Sequence, residues 1–458
     1  MIYKLRFPSY IFLLTSSILL LAACALHKEY EAKNTVPDDI MGALSHPEDT
    51  LSLGAVEWRS VFTDPLLQQL IERAMTNNTD VRRAQLTIEQ VQNDLTVARQ
   101  GNIPTVSFQP TGMVRYFDSA TKYPYSVPLV ATWQLNILGQ TTTKVRQTKA
   151  RKEMYADYRQ AVKTSLAANV AATYYALVML DRKMQILEET QVVWEESLES
   201  MRTLYEAGVY QSPAVYQMEA SLASVRAGIV ETQEDIETTE SALCLLLSEV
   251  PHKIERSPYG TFKMPDQLHI GIPLRLFSAR PDVRQAARNM EIAYYDTQSA
   301  HQALYPNITI SANLGWSNGE EGTVNPGTLL AKAVASIVQP IFAQGKLRAR
   351  YRNAGIEQEK VRLQFEQTLL NAGNEVYRYL HTCQKTEEKV QHLSVMVNAL
   401  HEAYLGTKEL MNNGTNTYLE VLKAQEDLLT AQLRDVENHN DGVQALINLY
   451  IALGGAVE

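Results

Sequence analysis

The sequence has few cysteines and no excess of positive charge. Its 458 residues include three cysteines, whose positions give neither a disulfide framework nor the spacing of a metal site. Cys244 and Cys383 lie among apolar neighbours, as small buried hydrophobes do. The formal net charge of −9 speaks against a nucleic-acid partner.

Recognisable catalytic motifs are also missing. His401-Glu402 starts like a zinc-binding helix, but Leu405 stands where the second histidine is needed. Gly345-Lys346 lacks the earlier glycine and the following serine or threonine of a phosphate-binding loop. We therefore expect no enzymatic activity, no catalytic residue, no metal and no cofactor.

Glycine and proline are absent from Gln140 to Ala207, a stretch that as one helix would be roughly 100 Å long. Its second half carries apolar residues in the three- and four-residue spacing of a coiled-coil seam. These residues are Leu177, Leu180, Met184, Leu187, Trp194, Leu198, Met201 and Tyr205. The stretch predicts a long supercoiled helix that packs on neighbouring helices.

The N-terminus has the three-part layout of an export signal. Lys4 and Arg6 precede an apolar core, which ends in small residues before Cys24. This layout resembles a bacterial lipoprotein signal of residues 1–23, after which Cys24 becomes the acylated first residue. The alternatives are an ordinary signal peptide or an anchoring helix. Residues 24–60 are expected to form an N-terminal tether.

The chain contains an internal duplication. Asp80-Val81-Arg82 recurs as Asp282-Val283-Arg284, and the glycines Gly139 and Gly208 recur 206 positions later as Gly345 and Gly414. We predict repeat 1 at 61–250 and repeat 2 at 282–455, joined by a linker at 251–281. Each repeat reads as a helix, an apolar hairpin, a very long helix (140–207 or 346–411), a glycine break near 208 or 414, and a shorter helix.

The two hairpins, 104–137 and 306–341, alternate apolar and polar residues with the period of a β-strand. One face of the second hairpin carries Ile308, Ile310, Ala312, Leu314 and Trp316, and the first has Val127, Leu129, Ala131, Trp133, Leu135 and Ile137. This pattern is typical of membrane β-strands, and the alternative is the edge hairpin of a soluble sheet. Because four strands cannot close a barrel in lipid, the membrane interpretation requires an oligomer.

The order of these features resembles the TolC-type outer-membrane efflux proteins, in particular the lipoprotein branch that works with resistance-nodulation-division pumps. The segments that carry the resemblance, besides the duplication and the signal, are Gln339–Gly345 and Gly414–Gln425. The likeness covers nearly the whole chain from Cys24 to Gly455.

The resemblance implies a mainly α fold with a membrane β-barrel. Three copies would each give four strands to a twelve-stranded barrel in outer-membrane lipid. The long helices would form an α-helical barrel that extends into the periplasm, with the 251–281 segment in an equatorial belt. The protein would then be a passive, lipid-anchored exit duct for small molecules such as drugs or toxic compounds. An inner-membrane resistance-nodulation-division pump and a periplasmic adaptor would be its partners.

The resemblance also places the channel gate and the adaptor contact at the two glycine breaks. Tyr205, Glu206 and Gly208 belong to the first tip, and the second tip comprises Met411, Gly414, Asn416, Glu420 and Lys423. Glu420 and Lys423 could form an ion pair three residues apart or remain solvated separately.

Two other functions fit the sequence. A lipid-anchored periplasmic coiled-coil scaffold would use the hairpins for soluble contacts. An outer-membrane duct for protein or peptide secretion would share the architecture but carry larger substrates.

Overall fold

The computed structural model describes residues 29–31, 58–117, 120–260, 280–318, 327–413 and 417–455. The signal segment and Cys24 lie outside these residues. The chain divides into two compact units. The first comprises Met1–Val36, Leu86–Ala156 and Gln285–Gln367, and the second comprises Pro37–Gln85, Asp157–Arg284 and Thr368–Glu458.

The helices come in pairs of equal length, one from each half of the sequence. After two short helices, α1 (Trp58–Val61) and α2 (Pro65–Asn77), the pairs have 22, 67 and 35 residues. They are α3 (Thr79–Gln100) with α6 (Pro281–Gln302), α4 (Gln140–Glu206) with α7 (Lys346–Asn412), and α5 (Ser212–Leu246) with α8 (Tyr418–Ala452). The predicted duplication is therefore confirmed.

The long helices keep their length because no proline interrupts them. A glycine with positive φ directly precedes each of them, Gly139 at 73° and Gly345 at 75°. Among the described helices, none combines the length and apolar character that a membrane crossing requires.

The strands form one antiparallel sheet in the first unit. Its members are β1 (Thr105–Phe108), β2 (Thr111–Gly112), β5 (Tyr125–Leu135), β6 (Asn307–Ser317) and β7 (Thr328–Val338), in the order β1-β5-β6-β7 with β2 also on β5. A separate short hairpin joins β3 (Arg115–Phe117) to β4 (Ala120–Lys122).

The first hairpin keeps one register from end to end. Thr105 faces Thr132 and Thr111 faces Ser126, so β1 and β2 are two parts of one strand with Pro110 between them. Proline lacks the N–H that a ladder hydrogen bond requires, which accounts for the interruption. The sheet therefore has four strand positions, with β1 and β2 at one edge and β7 at the other.

The core of the second unit is a helical cluster around α4. Tyr174, Leu177 and Val178 are buried there together with Phe62 of the loop after α1, Ile71 of α2, Leu243 of α5 and Ile447 of α8. The predicted seam of α4 is largely in place, since Leu187, Trp194, Leu198 and Met201 are buried, but Tyr205 is exposed.

The linker after α5 is fixed to the core by polar contacts. The Tyr174 hydroxyl donates to Asp64 Oδ2 at 2.7 Å and accepts from the Ser257 N–H at 2.9 Å. Burial raises the pKa of Tyr174 to about 12, which keeps the hydroxyl protonated as a donor. Arg256, whose side chain is buried, bridges Asp181 of α4 and Glu240 of α5. Residues 251–260 thus form an ordered part of the second unit.

In the first unit, the described N-terminal residues pack on α6 and α4. The Tyr30 and Tyr294 rings lie 5.4 Å apart, and Glu29 approaches Arg146 at 3.6 Å. The backbone carbonyl of Glu29 accepts from the Tyr294 hydroxyl at 3.5 Å.

Candidate functional site

The first candidate surface is the apolar face of the sheet. The register places Leu129, Leu314 and Ala331 side by side across three strands. The same face carries Val127, Trp316 and Leu329 in one row, Ala131, Ala312 and Ala333 in another, and then Trp133, Ile310, Ala335, Leu135, Ile308 and Ile337. Trp133, Leu314 and Leu329 are exposed. A contiguous apolar face of this size on an open sheet marks a surface that meets lipid or another protein.

One close approach fixes the pairing of β5 with β6. Gly315 lies opposite Pro128, and a Cβ on Gly315 would stand 2.4 Å from the Pro128 Cα. A side chain cannot fit there without moving the backbone, so glycine is required for the two repeats to share one sheet.

The second candidate surface is the first helix tip, where α4 reverses into α5. Gly208 has a φ of +75°, and its N–H donates to the Tyr205 carbonyl at 2.9 Å. The Val209 N–H reaches back to the Leu204 carbonyl, also at 2.9 Å. These two bonds form the Schellman motif, which satisfies the last helix carbonyls and needs a left-handed residue such as glycine. Tyr205 and Glu206 are exposed beside this reversal.

The second tip joins α7 to α8. Gly414 and Asn416 lie outside the described residues. Met411 is partly buried against the cluster described below, and Glu420 is exposed in the first turn of α8. An acid in a first helical turn interacts favourably with the helix dipole.

An apolar cluster brings elements of both tips together within the second unit. Met201 of α4, Val215 and Met218 of α5, and Tyr418 and Leu422 of α8 are buried in it. Tyr418 donates its hydroxyl to the Met218 sulfur, and its ring lies 6.4 Å from that of Tyr210. The two tips therefore share one core.

The charged side chains of the second tip do not form the ion pair between Glu420 and Lys423 that was one of the two expected arrangements. Lys423 Nζ donates to Asp427 Oδ1 at 2.6 Å, one turn towards the C-terminus, instead of to Glu420. The hydrogen bond to Asp427 raises the pKa of Lys423. Both partners are exposed, so solvent screens the pair and it adds little to stability.

The sequence interpretation missed two residues near the tips. Tyr418 begins the buried seam of α8 and joins α8 to α5, as described above. Gln425 is also buried, but neither its amide nitrogen nor its amide oxygen has a hydrogen-bond partner in the described structure. Both lie in the seam Tyr418, Val421, Leu422, Gln425 and Leu429, so the seam spacing could have identified them.

Near Gln425 the helices leave a cavity of about 200 Å³, which is lined by α4, α7 and α8. Its polar wall includes Thr190, His401 and Gln432, and its apolar wall includes Trp194. Within the described ranges, no cluster of three or more acidic, histidine or cysteine side chains could hold a metal ion.

Comparison with known proteins places this architecture in one class. Residues 70–249 and 274–455 match the family described as outer membrane efflux protein. The chain belongs to this family. Channels of this class are the outer-membrane exits of efflux systems, so the protein is an outer-membrane channel that extends into the periplasm.

Individual relatives extend the likeness to almost the whole chain. The antibiotic efflux pump outer membrane protein ArpC of Pseudomonas putida is 26% identical over 95% of this chain and 93% of its own length. The probable outer membrane lipoprotein SilC of Salmonella typhimurium is 25% identical over 96% and 97%.

The fold is shared with solved channels. The MtrE outer membrane channel of Neisseria gonorrhoeae, solved in an open state, matches with a TM-score of 0.83 over 93% of this chain and 97% of that chain. At 22% identity this match shows the fold alone.

Proposed function

We propose that three copies of this chain form a passive exit duct for small molecules such as drugs or toxic compounds. An inner-membrane pump of the resistance-nodulation-division class would deliver the substrate with a periplasmic adaptor. The observation that carries the proposal is the apolar sheet face, which spans three paired strands and which no described part of the chain covers.

The sheet edges support assembly into a closed ring. The first strand position, β1 and β2, and the last, β7, each have one described strand neighbour, so each offers an open edge. Strand edges are not tolerated in lipid. Since four antiparallel positions are an even number, β7 of one copy can pair antiparallel with the first strand of the next. Repetition of that contact closes a ring.

The exposed side of α7 supports the same assembly. Ile356, Leu363, Leu370 and Tyr377 follow one another at seven-residue intervals, and all four are exposed. A heptad stripe of this kind packs on another helix in a supercoil. We assign that helix to a neighbouring copy of the chain.

The tips are the surface we assign to the adaptor and the gate. Val209 and Tyr216 at the first tip and Leu419 at the second are exposed apolar side chains beside the predicted residues Tyr205, Glu206, Glu420 and Lys423. Exposed apolar residues with a charged rim are suited to contact with another protein.

A lipid anchor at Cys24 is consistent with the packing of the tether. Glu29 and Tyr30 contact α4 and α6 in the unit that contains the sheet. Four residues lie between Cys24 and Glu29, and the five Cα–Cα steps of this connection span at most about 18 Å. An acyl group on Cys24 would then be kept close to the first unit.

A pair of arginine substitutions in β6 tests the channel proposal. Leu314→Arg places a charge on the apolar face, and the adjacent Asn313→Arg places the same charge on the opposite face. At the middle of a lipid-facing strand, arginine costs about 2–4 kcal/mol, whereas a lumen-facing charge is tolerated. We expect Leu314→Arg to reduce outer-membrane insertion, and Asn313→Arg to insert normally with altered conductance in planar bilayers.

Equal insertion of both variants would contradict the assignment of the apolar face to lipid. A normally inserted wild-type protein without conductance would overturn the channel itself. Growth with antibiotics and export of a labelled peptide, measured in the same strains, separate a small-molecule duct from a peptide duct.

A further inference from the structure

The start of α7 concentrates positive charge on an otherwise acidic chain. Lys346, Arg348, Arg350 and Arg352 occupy alternate positions, and the next acid is Glu357. We call these four residues the basic turn. All four are exposed, and within the described structure none makes an ion pair. Cations near a helix N-terminus interact unfavourably with the helix dipole, so helix stability does not explain them.

The first repeat provides an internal comparison. Arg350 and Arg352 correspond to Lys144 and Arg146, 206 positions earlier. Lys144 Nζ donates to Gln147 Oε1 at 3.3 Å, and Arg146 pairs with Glu29. The first repeat thus gives these two cations partners within the chain, whereas Arg350 and Arg352 have no ion-pair partner in the described structure.

The residues before the basic turn indicate the chemistry of that partner. Ile341 and Phe342, between β7 and α7, are 97% and 85% exposed. Bulky apolar side chains next to lysine and arginine are typical of segments at the boundary between lipid headgroups and acyl chains.

The positions of the four cations around the helix favour binding to a layer of lipid headgroups over binding to one face of a protein partner. At about 100° per residue, Lys346 and Arg350 share one side of the helix, and Arg348 and Arg352 share the opposite side. A protein partner on one face could not pair with all four. In a channel wall the outer side of the helix meets the lipid phosphates, and the long lysine and arginine side chains at the flanking positions extend around the helix towards them.

We propose that the basic turn binds the phosphates of anionic phospholipids in the periplasmic leaflet, with Ile341 and Phe342 in the adjacent acyl region. The inference rests on the proposed function, in which β7 crosses the outer membrane and α7 leaves it on the periplasmic side. It adds a lipid-binding collar to the channel.

The test uses the full-length protein in phosphatidylcholine vesicles that contain spin-labelled lipid. The preference for spin-labelled phosphatidylglycerol over spin-labelled phosphatidylcholine is measured by electron spin resonance. We expect at least about a twofold preference in the wild type that decreases at high salt, because the attraction is electrostatic. The variant K346Q/R348Q/R350Q/R352Q should lose the preference.

Two control variants accompany this measurement. R378Q/K385Q/K389Q/K408Q removes four exposed cations elsewhere on α7 and should keep the preference. R348K/R350K/R352K should also keep it, because a phosphate layer requires charge more than guanidinium geometry.

Three outcomes would overturn the collar. They are a wild type without lipid preference, a quadruple glutamine variant that retains it, and a quadruple variant that no longer assembles, which would assign the cations to a neighbouring copy. Conductance of the same samples measures channel formation separately. A protein that conducts but shows no lipid preference therefore contradicts only the proposed lipid binding.

Discussion

Each repeat contains a long helix followed by a shorter one, and we call these the first pair, α4 with α5, and the second pair, α7 with α8. The two pairs have the same lengths, but their long helices have different surroundings. Sixteen apolar residues of α4 are buried and three large ones are exposed, whereas α7 has five buried and nine exposed. The duplication therefore preserved helix length but not packing. The long helix of repeat 1 is largely buried within the chain, whereas the long helix of repeat 2 leaves more of its large apolar residues exposed.

The two long helices also differ in glycine content, and the helix with more exposed apolar residues contains more glycine. α4 has no glycine, while α7 contains Gly355, Gly373 and Gly406. Each interior glycine lowers helix stability by about 0.5–1 kcal/mol relative to alanine. We therefore propose that α7 is the helix that bends when the tip opens. Equal hydrogen-exchange protection of α4 and α7 in the assembled protein would contradict this.

The largest expected effect comes from charging the exposed stripe of α7. Leu363→Glu with Leu370→Glu should prevent assembly, because two carboxylates would be buried without partners between copies. Light scattering of the purified protein measures the number of copies. Val192→Glu, at an exposed apolar position of α4 without heptad neighbours, should still assemble. If both variants assemble, the stripe is not the contact between copies of the chain.

Truncation of a core residue in the first pair should be costly even within one copy. Trp194 is buried in the tip cluster, so Trp194→Ala should lower the free energy of unfolding by about 3–5 kcal/mol. Denaturant unfolding followed by circular dichroism measures the change. Val192→Ala, two residues away and exposed, should change the same quantity by less than about 0.5 kcal/mol.

The second pair contains a polar defect whose removal should stabilise it. Gln425→Leu replaces a buried amide that has no described partner, and should raise the free energy of unfolding by about 1–3 kcal/mol. The matched variant Asn438→Leu removes an amide that donates to the Thr386 carbonyl at 3.1 Å and should give no gain. A loss of stability in Gln425→Leu would indicate that ordered water satisfies the amide.

The sequence was sufficient for most of the fold, because the features that define it are local or repeated. The glycine-free run predicted α4, the 206-residue shift predicted α7, and the alternation in β5 and β6 predicted the apolar face. The hydrogen-bonded register of β5 with β6, which joins the two repeats in one sheet, depends on a contact distant in sequence and needed the structure.

The site was less predictable. Gly208 follows from backbone geometry, which the sequence encodes directly. Acids lie both three and four residues from Lys423, so the sequence spacing alone does not decide which of them its flexible side chain pairs with. In the structure that partner is Asp427. For the apolar and charged residues of α7 that we assign to other molecules, the described part of the chain contains no partner that could identify them.

Two substitutions compare a glycine that adopts a positive φ at a helix end with a glycine in the interior of a helix. Gly208→Ala forces alanine into a φ of +75° and should destabilise the first tip by about 1–2 kcal/mol, although its Cβ meets no atom within 4 Å. Gly355→Ala, in the interior of α7 with equally open space, should stabilise by about 0.5–1 kcal/mol. Thermal unfolding of both variants gives opposite shifts if backbone conformation alone distinguishes them.

The smallest effect is a pH dependence that only the second pair has. Burial lowers the pKa of His439 in α8 below its usual 6.5, whereas the equivalent position in α5 is Gln233. As the pH falls through about 6.5, the unfolded chain takes up a proton before the folded one, so acidification should lower stability. His439→Gln copies the first repeat and should reduce the loss in melting temperature between pH 7.5 and 5.5. An unchanged loss would show that other groups cause the acid sensitivity.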